Sequence, residues 1–263
     1  MKTIKALIMC IQFFTSIPVP YEVPMDREHM ERAIRVFPIL GILQGIIYIF
    51  ITFALLEWTP LSTVAVAFFL WLSWIIVTGG LHLDGWMDVS DGYFSFRNPE
   101  KRLEIMKDSR IGAFGVLSVL VLLSARFLFI YETISRMSLW TYPLILLIPF
   151  FGKIMMGVLL IKVKSAKADG LGAMFQQAAS KGTLWRYPVY LIVLLGMILF
   201  IWPESFWGLA SFIIGSSLFI LIARKKIIRW FGGITGDVLG AAVEGGETLL
   251  WLILWLLPYV GMA

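Results

Sequence analysis

The chain has little charge and one cysteine. Of its 263 residues only 15% are charged, whereas 59% are hydrophobic, and the mean hydropathy is +0.87. So little charge excludes a soluble domain whose surface faces water, and leaves an integral membrane protein. The lone Cys10 excludes an intrachain disulfide and lacks the partners for a zinc site. Internal repeats and low-complexity segments are missing too, so residues 1–263 read as a single integral membrane domain. The net charge is +5, and in a membrane protein such an excess reports topology rather than nucleic-acid binding. No nucleic-acid partner is expected; the lipid bilayer is the partner that composition demands.

Apolar runs of bilayer length occur at about 36–56, 61–81, 111–131, 139–161, 187–202 and 205–223, with a last run ending near Leu257. The expected fold is all-α, a polytopic bundle of about seven transmembrane helices. Ahead of them, Ala6 to Phe14 follows Lys2 and Lys5 but is too short to span. No small-residue cleavage site follows, and Pro18 and Pro20 end the run, so an interfacial or re-entrant helix is expected. Asp26 is placed to cap a helix that runs through Arg32 and Arg35 into the first span.

Segments 1–35, 81–110, 162–186 and 224–235 carry five, five, five and four of the 22 lysines and arginines. The opposite connections carry only Arg136. The basic segments are therefore expected in the cytoplasm, with the N-terminus inside, in a multi-pass protein of the cell (inner) membrane. Arg126 and Lys153 fall inside predicted spans. Arg126 is about fifteen residues into its span, roughly 22 Å at 1.5 Å per residue, and is expected to snorkel to the outer surface. Lys153 is left for a role within the bundle.

Chemistry concentrates in residues 79–92, Gly-Gly-Leu-His-Leu-Asp-Gly-Trp-Met-Asp-Val-Ser-Asp-Gly. If the preceding helix continues through them, Asp84, Asp88 and Asp91 fall within about 60° of arc. Three carboxylates on one stripe repel one another and call for protonation or a cation. Mg²⁺ suits them, because it binds a few carboxylates and completes its octahedron with water and phosphate oxygens. The plainer reading, that acids merely mark a helix entering water, serves one aspartate better than three. His82 belongs to the same block.

On the same predicted side, Gly232-Gly-Ile-Thr-Gly-Asp237 opens a helix on which Asp237 and Glu244 lie about 20° apart, with Glu247 further round. This second acidic face is able to share a cation or amine with the first; alternatively Gly236 and Gly240 form a packing face and the acids are solvated at a helix start. Lys107, Asp108 and Arg110 precede the next span, and Lys107 and Arg110 are candidates for neutralising phosphate oxygens.

Read together, Thr78-Gly-Gly-Leu-His-Leu-Asp-Gly, Asp88-Val-Ser-Asp-Gly, Arg102-Leu-Glu-Ile-Met-Lys-Asp-Ser-Arg-Ile-Gly-Ala-Phe-Gly and Gly-Gly-Ile-Thr-Gly-Asp237 resemble the cobalamin synthase family of adenosylcobinamide-GDP ribazoletransferases. Phe14-Thr-Ser-Ile-Pro-Val-Pro20 is similar as well. The resemblance covers nearly the whole chain. It implies a Mg²⁺-dependent transferase with adenosylcobinamide-GDP and alpha-ribazole, or alpha-ribazole 5'-phosphate, as substrates. A ribose hydroxyl attacks the cobinamide-side phosphorus, GMP leaves, and adenosylcobalamin or its 5'-phosphate results. On this reading Asp84, Asp88 and Asp91 hold the metal, and either Asp91 or Asp237 takes the hydroxyl proton. His82, Lys107, Asp108, Arg110 and Glu244 contact substrate, and a homo-oligomer is compatible with the chain.

Two other classes compete. A CDP-alcohol phosphotransferase or aspartate-rich prenyltransferase also sets metal-binding acids at a membrane edge, but lacks the block at 102–115. A cation-coupled transporter would use the acids as ion ligands, yet transporters favour broken helices and acids near mid-bilayer.

Overall fold

A computed structural model describes residues 2–95, 97–108 and 110–260. Helix α1 (Lys2–Phe14) is followed by α2 (Arg27–Trp58), α3 (Thr63–Thr78), α4 (Leu81–Ser95) and α5 (Pro99–Ile105). Then come α6 (Ala113–Ser135), α7 (Thr141–Lys162), α8 (Leu171–Ala178), α9 (Arg186–Ile201), α10 (Phe206–Phe231) and α11 (Gly236–Leu256). Six of these, α2, α6, α7, α9, α10 and α11, are long and apolar enough to cross a membrane, alone or with a short 3₁₀ extension. The pair α3 and α4 makes a seventh candidate, bent by 87°. The all-helical membrane bundle expected from composition is what the chain forms.

Local rules set the ends. Asp26 caps α2 by accepting from the backbone N–H of His29 at 2.9 Å, and Glu28 holds Arg32 at 2.8 Å one turn on. Asn98 caps α5 in the same way, accepting from Glu100 N–H at 2.8 Å. The expected continuation of α3 into the acidic stripe does not occur. Gly79 and Gly80 both take positive φ, 66° and 74°, a left-handed turn that side chains resist, and α4 starts afresh at Leu81. It leaves the direction of the span and lies across the end of the bundle.

Helix α7 is the axis of the bundle, buried along nearly all its length. It packs on α2, where Gly41 and Gly45 bring the two backbones together. A Cβ on Gly45 would lie 2.8 Å from the Leu146 Cα. Small residues permit such crossings without lipid between the helices. Helix α9, by contrast, turns Ile192, Met197 and Phe200 outward, the exposure expected of a lipid-facing helix. The short amphipathic α1 lies against α2, burying Ala6, Met9, Cys10 and Phe14.

The four basic segments share one end of the bundle. Thr183 Oγ1 donates to Glu31 at 2.9 Å, Arg102 Nη1 donates to the Trp230 carbonyl at 3.1 Å, and Ser165 bridges to Ile234.

Candidate functional site

Helix α4 supplies the centre of the site. Ser90 and Gly92 face inward with Asp91, and Asp84 and Asp88 reach the surface of two recesses. The first recess, about 340 Å³, lies between α4, the start of α11 and the segment leading into α8, and includes His82, Asp84, Lys167, Asp169, Phe175 and Asp237. The second, about 330 Å³, is shallower and includes Asp88, Asp91, Asp108, Arg110 and Gly112. Asp84 and Asp88 are one turn apart, so the two recesses adjoin along one helix face.

Close packing of α4 on α11 fixes this arrangement. A Cβ on Gly85 would stand 2.6 Å from the Asp237 carbonyl oxygen, and one on Gly240 would stand 3.2 Å from the His82 Cα. Glycine at both places lets Asp237 approach the stripe. Of the two glycines weighed as a packing face, Gly240 packs and Gly236 has open space where a Cβ would stand, and the Gly240 contact brings the second acidic face to the first at Asp237.

That face then divides. Glu244 is buried, and its carboxylate accepts from Arg126 Nη2 at 2.6 Å, while Arg126 Nε donates to Thr248 at 3.0 Å. Glu244 is thus not at a substrate surface, and Arg126 does not snorkel outward. An unpaired guanidinium inside the bundle costs several kcal/mol, and pairing with a carboxylate 118 residues away removes that cost. Glu247 accepts from Trp74 Nε1 at 2.7 Å, with Lys153 Nζ at 4.0 Å. Both intramembrane cations are therefore answered by acids of α11.

Asp91 also differs from its two partners on the stripe. Its carboxylate accepts from the backbone N–H of Gly112 and of Gly115, each at 2.9 Å. It caps α6 from outside that helix, satisfying donors that Gly112, with no side chain, cannot. Asp84 and Asp88 have no hydrogen-bonded or ion-paired partner among the described residues. Burial, with the nearby charges of Asp84, Asp237 and Asp91, pushes the Asp88 carboxyl up to about 6, although Lys167 opposes the shift. The charge conflict read from spacing is present, and Asp237 adds to it.

Arg110 is exposed and its guanidinium holds both oxygens of Asp108, Nη2 donating to Oδ2 at 2.6 Å and Nε to Oδ1 at 3.0 Å. The guanidinium keeps the Asp108 carboxyl down at about 2. Both border the second recess, whereas Lys107 borders a separate basic hollow with Lys101 and Lys167. Ser109, between them, lies outside the described residues. Lys167 and Asp169, at the mouth of the first recess, were not singled out in the sequence; the following Gly170-Leu-Gly172 was the available signal of a turn. Ser165 and Ile234 hold that segment in place, with Ala166 N–H donating to Ile234 at 2.9 Å and Ile234 N–H to Lys164 at 2.8 Å.

Could these residues hold a cation? Among the described residues no three His, Cys, Asp or Glu side chains stand close enough to enclose one. The donors are all oxygens, however, and unengaged at Asp84 and Asp88. Such a half-site matches Mg²⁺, which is bound by one or two carboxylates and completed by water and substrate phosphate.

Fold and site together define a polytopic membrane protein with a carboxylate-lined pocket at one end of its bundle. The family model for cobalamin-5-phosphate synthase matches residues 6–255, and the chain belongs to that family. Its relatives include adenosylcobinamide-GDP ribazoletransferases of Geobacillus sp. (strain WCH70), 41% identical over 257 residues and 95% of each chain, and of Geobacillus thermodenitrificans, 39% identical with the same coverage. That of Desulfitobacterium hafniense is 36% identical over 96% of this chain and 97% of its own. No solved structure matches the chain.

Proposed function

We propose that the chain is an adenosylcobinamide-GDP ribazoletransferase of the cell membrane, with its site on the cytoplasmic face. It joins adenosylcobinamide-GDP to alpha-ribazole or its 5'-phosphate, releases GMP, and yields adenosylcobalamin or its 5'-phosphate. The observation that carries this reading is the meeting of Asp84 and Asp88 with Asp237 at adjoining recesses, in a chain that matches the family over residues 6–255. The cytoplasmic assignment rests on the 19 lysines and arginines gathered at that end.

In the reaction the ribose hydroxyl oxygen forms a bond to the cobinamide-side phosphorus, and the bond from that phosphorus to the GMP oxygen breaks. Positioning and charge neutralisation do most of the work in such a transfer. Asp84 and Asp88 are the residues that would hold Mg²⁺, which would supply charge neutralisation for the diphosphate. Asp237 takes the hydroxyl proton, because both oxygens of the other candidate, Asp91, are occupied by amide donors. Arg110 and Asp108 flank the recess where the diphosphate lies, and the guanidinium fork can turn from Asp108 to phosphate oxygens.

Purified protein incubated with adenosylcobinamide-GDP, alpha-ribazole 5'-phosphate and Mg²⁺ should release GMP in step with loss of both substrates. GMP at the level of a protein-free control would refute the assignment.

A further inference from the structure

The first recess is built for one kind of occupant. Phe14, Phe37 and Phe175 form its wall, with ring centroids 5.2 Å apart for Phe14 and Phe37 and 6.2 Å for Phe37 and Phe175. His82 joins them, its ring 6.2 Å from that of Phe14, and both of its nitrogens are buried without a hydrogen-bond partner. A buried imidazole needs a partner, and this residue lines the recess. The charged groups, Asp84, Lys167, Asp169 and Asp237, belong to the same recess, and Lys167 stands near enough to Asp237 to oppose its charge.

We propose that this recess takes the alpha-ribazole substrate, with its base against the wall of three phenylalanines and a ring N–H of His82, turned toward the recess on binding, donating to the base's free nitrogen. This rests on the transferase reading above and assigns one of its two substrates to a place. Volume excludes the corrinoid, whose macrocycle with its side chains far exceeds about 340 Å³. Chemistry separates the two nucleosides that remain. Guanine carries a carbonyl, an amino group and a ring N–H, all of which would need partners if buried. The dimethylbenzimidazole base of alpha-ribazole has a methylated apolar edge and one unsubstituted ring nitrogen, a match for an aromatic wall with one polar group. The ribose then points to Asp84 and Asp237, and a 5'-phosphate to Lys167. The second recess, along the same face of α4, is left for the diphosphate, so the hydroxyl and the phosphorus meet where the recesses adjoin.

Calorimetric titration of the full-length protein in detergent tests this, with alpha-ribazole, its 5'-phosphate and adenosylcobinamide-GDP as separate ligands. His82→Phe keeps an aromatic ring and removes the donor. It should raise the Kd of alpha-ribazole about tenfold and leave that of adenosylcobinamide-GDP unchanged. The indole analogue, with carbon in place of the free nitrogen, should bind the parent about tenfold more weakly than alpha-ribazole and lose nothing further in the variant. Lys167→Gln, at the mouth and outside the core, should weaken the 5'-phosphate about tenfold and spare the unphosphorylated nucleoside. Parental alpha-ribazole affinity in folded His82→Phe, or displacement of alpha-ribazole by GMP, overturns the assignment; so does an unchanged 5'-phosphate affinity in Lys167→Gln. GMP release by a parent protein whose ribazole affinity ignores these changes would defeat the pocket assignment alone. No GMP release from the parent would defeat the transferase reading itself.

Discussion

Arg126 and Glu244 form a fully buried ion pair, Nη2 to Oε2 at 2.6 Å, joining α6 to α11 between the acidic recesses and the far end of the bundle. Removing one partner strands the other in an apolar interior. Arg126→Leu should therefore destabilise the protein by about 3–5 kcal/mol. The double variant Arg126→Leu/Glu244→Leu should recover most of that loss. Thermal unfolding in detergent checks both; equal destabilisation by the single and double variants would show that a stranded Glu244 carboxylate carries no penalty.

Asp91 and Asp88 should separate by phenotype although they share a stripe. Asp91→Ala removes two acceptors at the start of α6 and should cost about 1–3 kcal/mol, with or without Mg²⁺. Asp88→Asn relieves repulsion and should be as stable as the parent or more so, while losing turnover. Melting curves in EDTA set beside GMP release distinguish the two; a stable Asp91→Ala protein would contradict the capping role.

The raised Asp88 carboxyl fixes a pH dependence. Its folded value of about 6 lies above the unfolded value, so between about pH 4 and 6 the folded state binds more protons than the unfolded state. This group's contribution to stability is present below that window and is lost as pH rises through 6. Without Mg²⁺ the protein should melt at lower temperature at pH 7.5 than at pH 5.5, as far as this site decides, and Mg²⁺ should stabilise it more at the higher pH. Asp88→Asn should flatten both trends.

Gly85→Ala tests the contact between α4 and α11. Its Cβ would meet the Asp237 backbone at 2.6 Å, which forces the helices apart at a cost of about 1–3 kcal/mol. GMP release should fall at least tenfold in protein that still inserts and folds. Parental turnover would mean that the separation of Asp84 and Asp237 does not matter.

Membrane sidedness can be read with single cysteines at Arg97 and Lys167, because native Cys10 is buried and should stay silent. An impermeant maleimide should label them in inverted vesicles and not in intact cells. The reverse pattern would invert the proposed topology.

Much of the architecture was legible from the chain. Each span was visible as an apolar run, and Asp26 declared the start of α2 by being a side-chain acceptor just before a helical pattern. The break at Gly79 and Gly80 was overlooked, because the three acids fit one helical face whether or not α4 continues α3. The acidic stripe was legible as charge, but the division of labour within it was not. What sets Asp91 apart are amide donors 21 and 24 residues away, and what claims Glu244 is an arginine 118 residues away. Local periodicity contains nothing about such partners.

The first recess draws Phe14 from the first helix and Asp237 from the last. During biosynthesis the pocket therefore has no floor-to-roof continuity until α11 has left the ribosome and settled beside α4. Partly translated chains hold the acidic stripe of α4 without its counterpart, so catalytic competence arrives in one step, at the end of insertion. A nonsense truncation anywhere before Gly236 should leave a membrane-inserted but inert product, and separately expressed halves should regain function only if they reassemble within the bilayer.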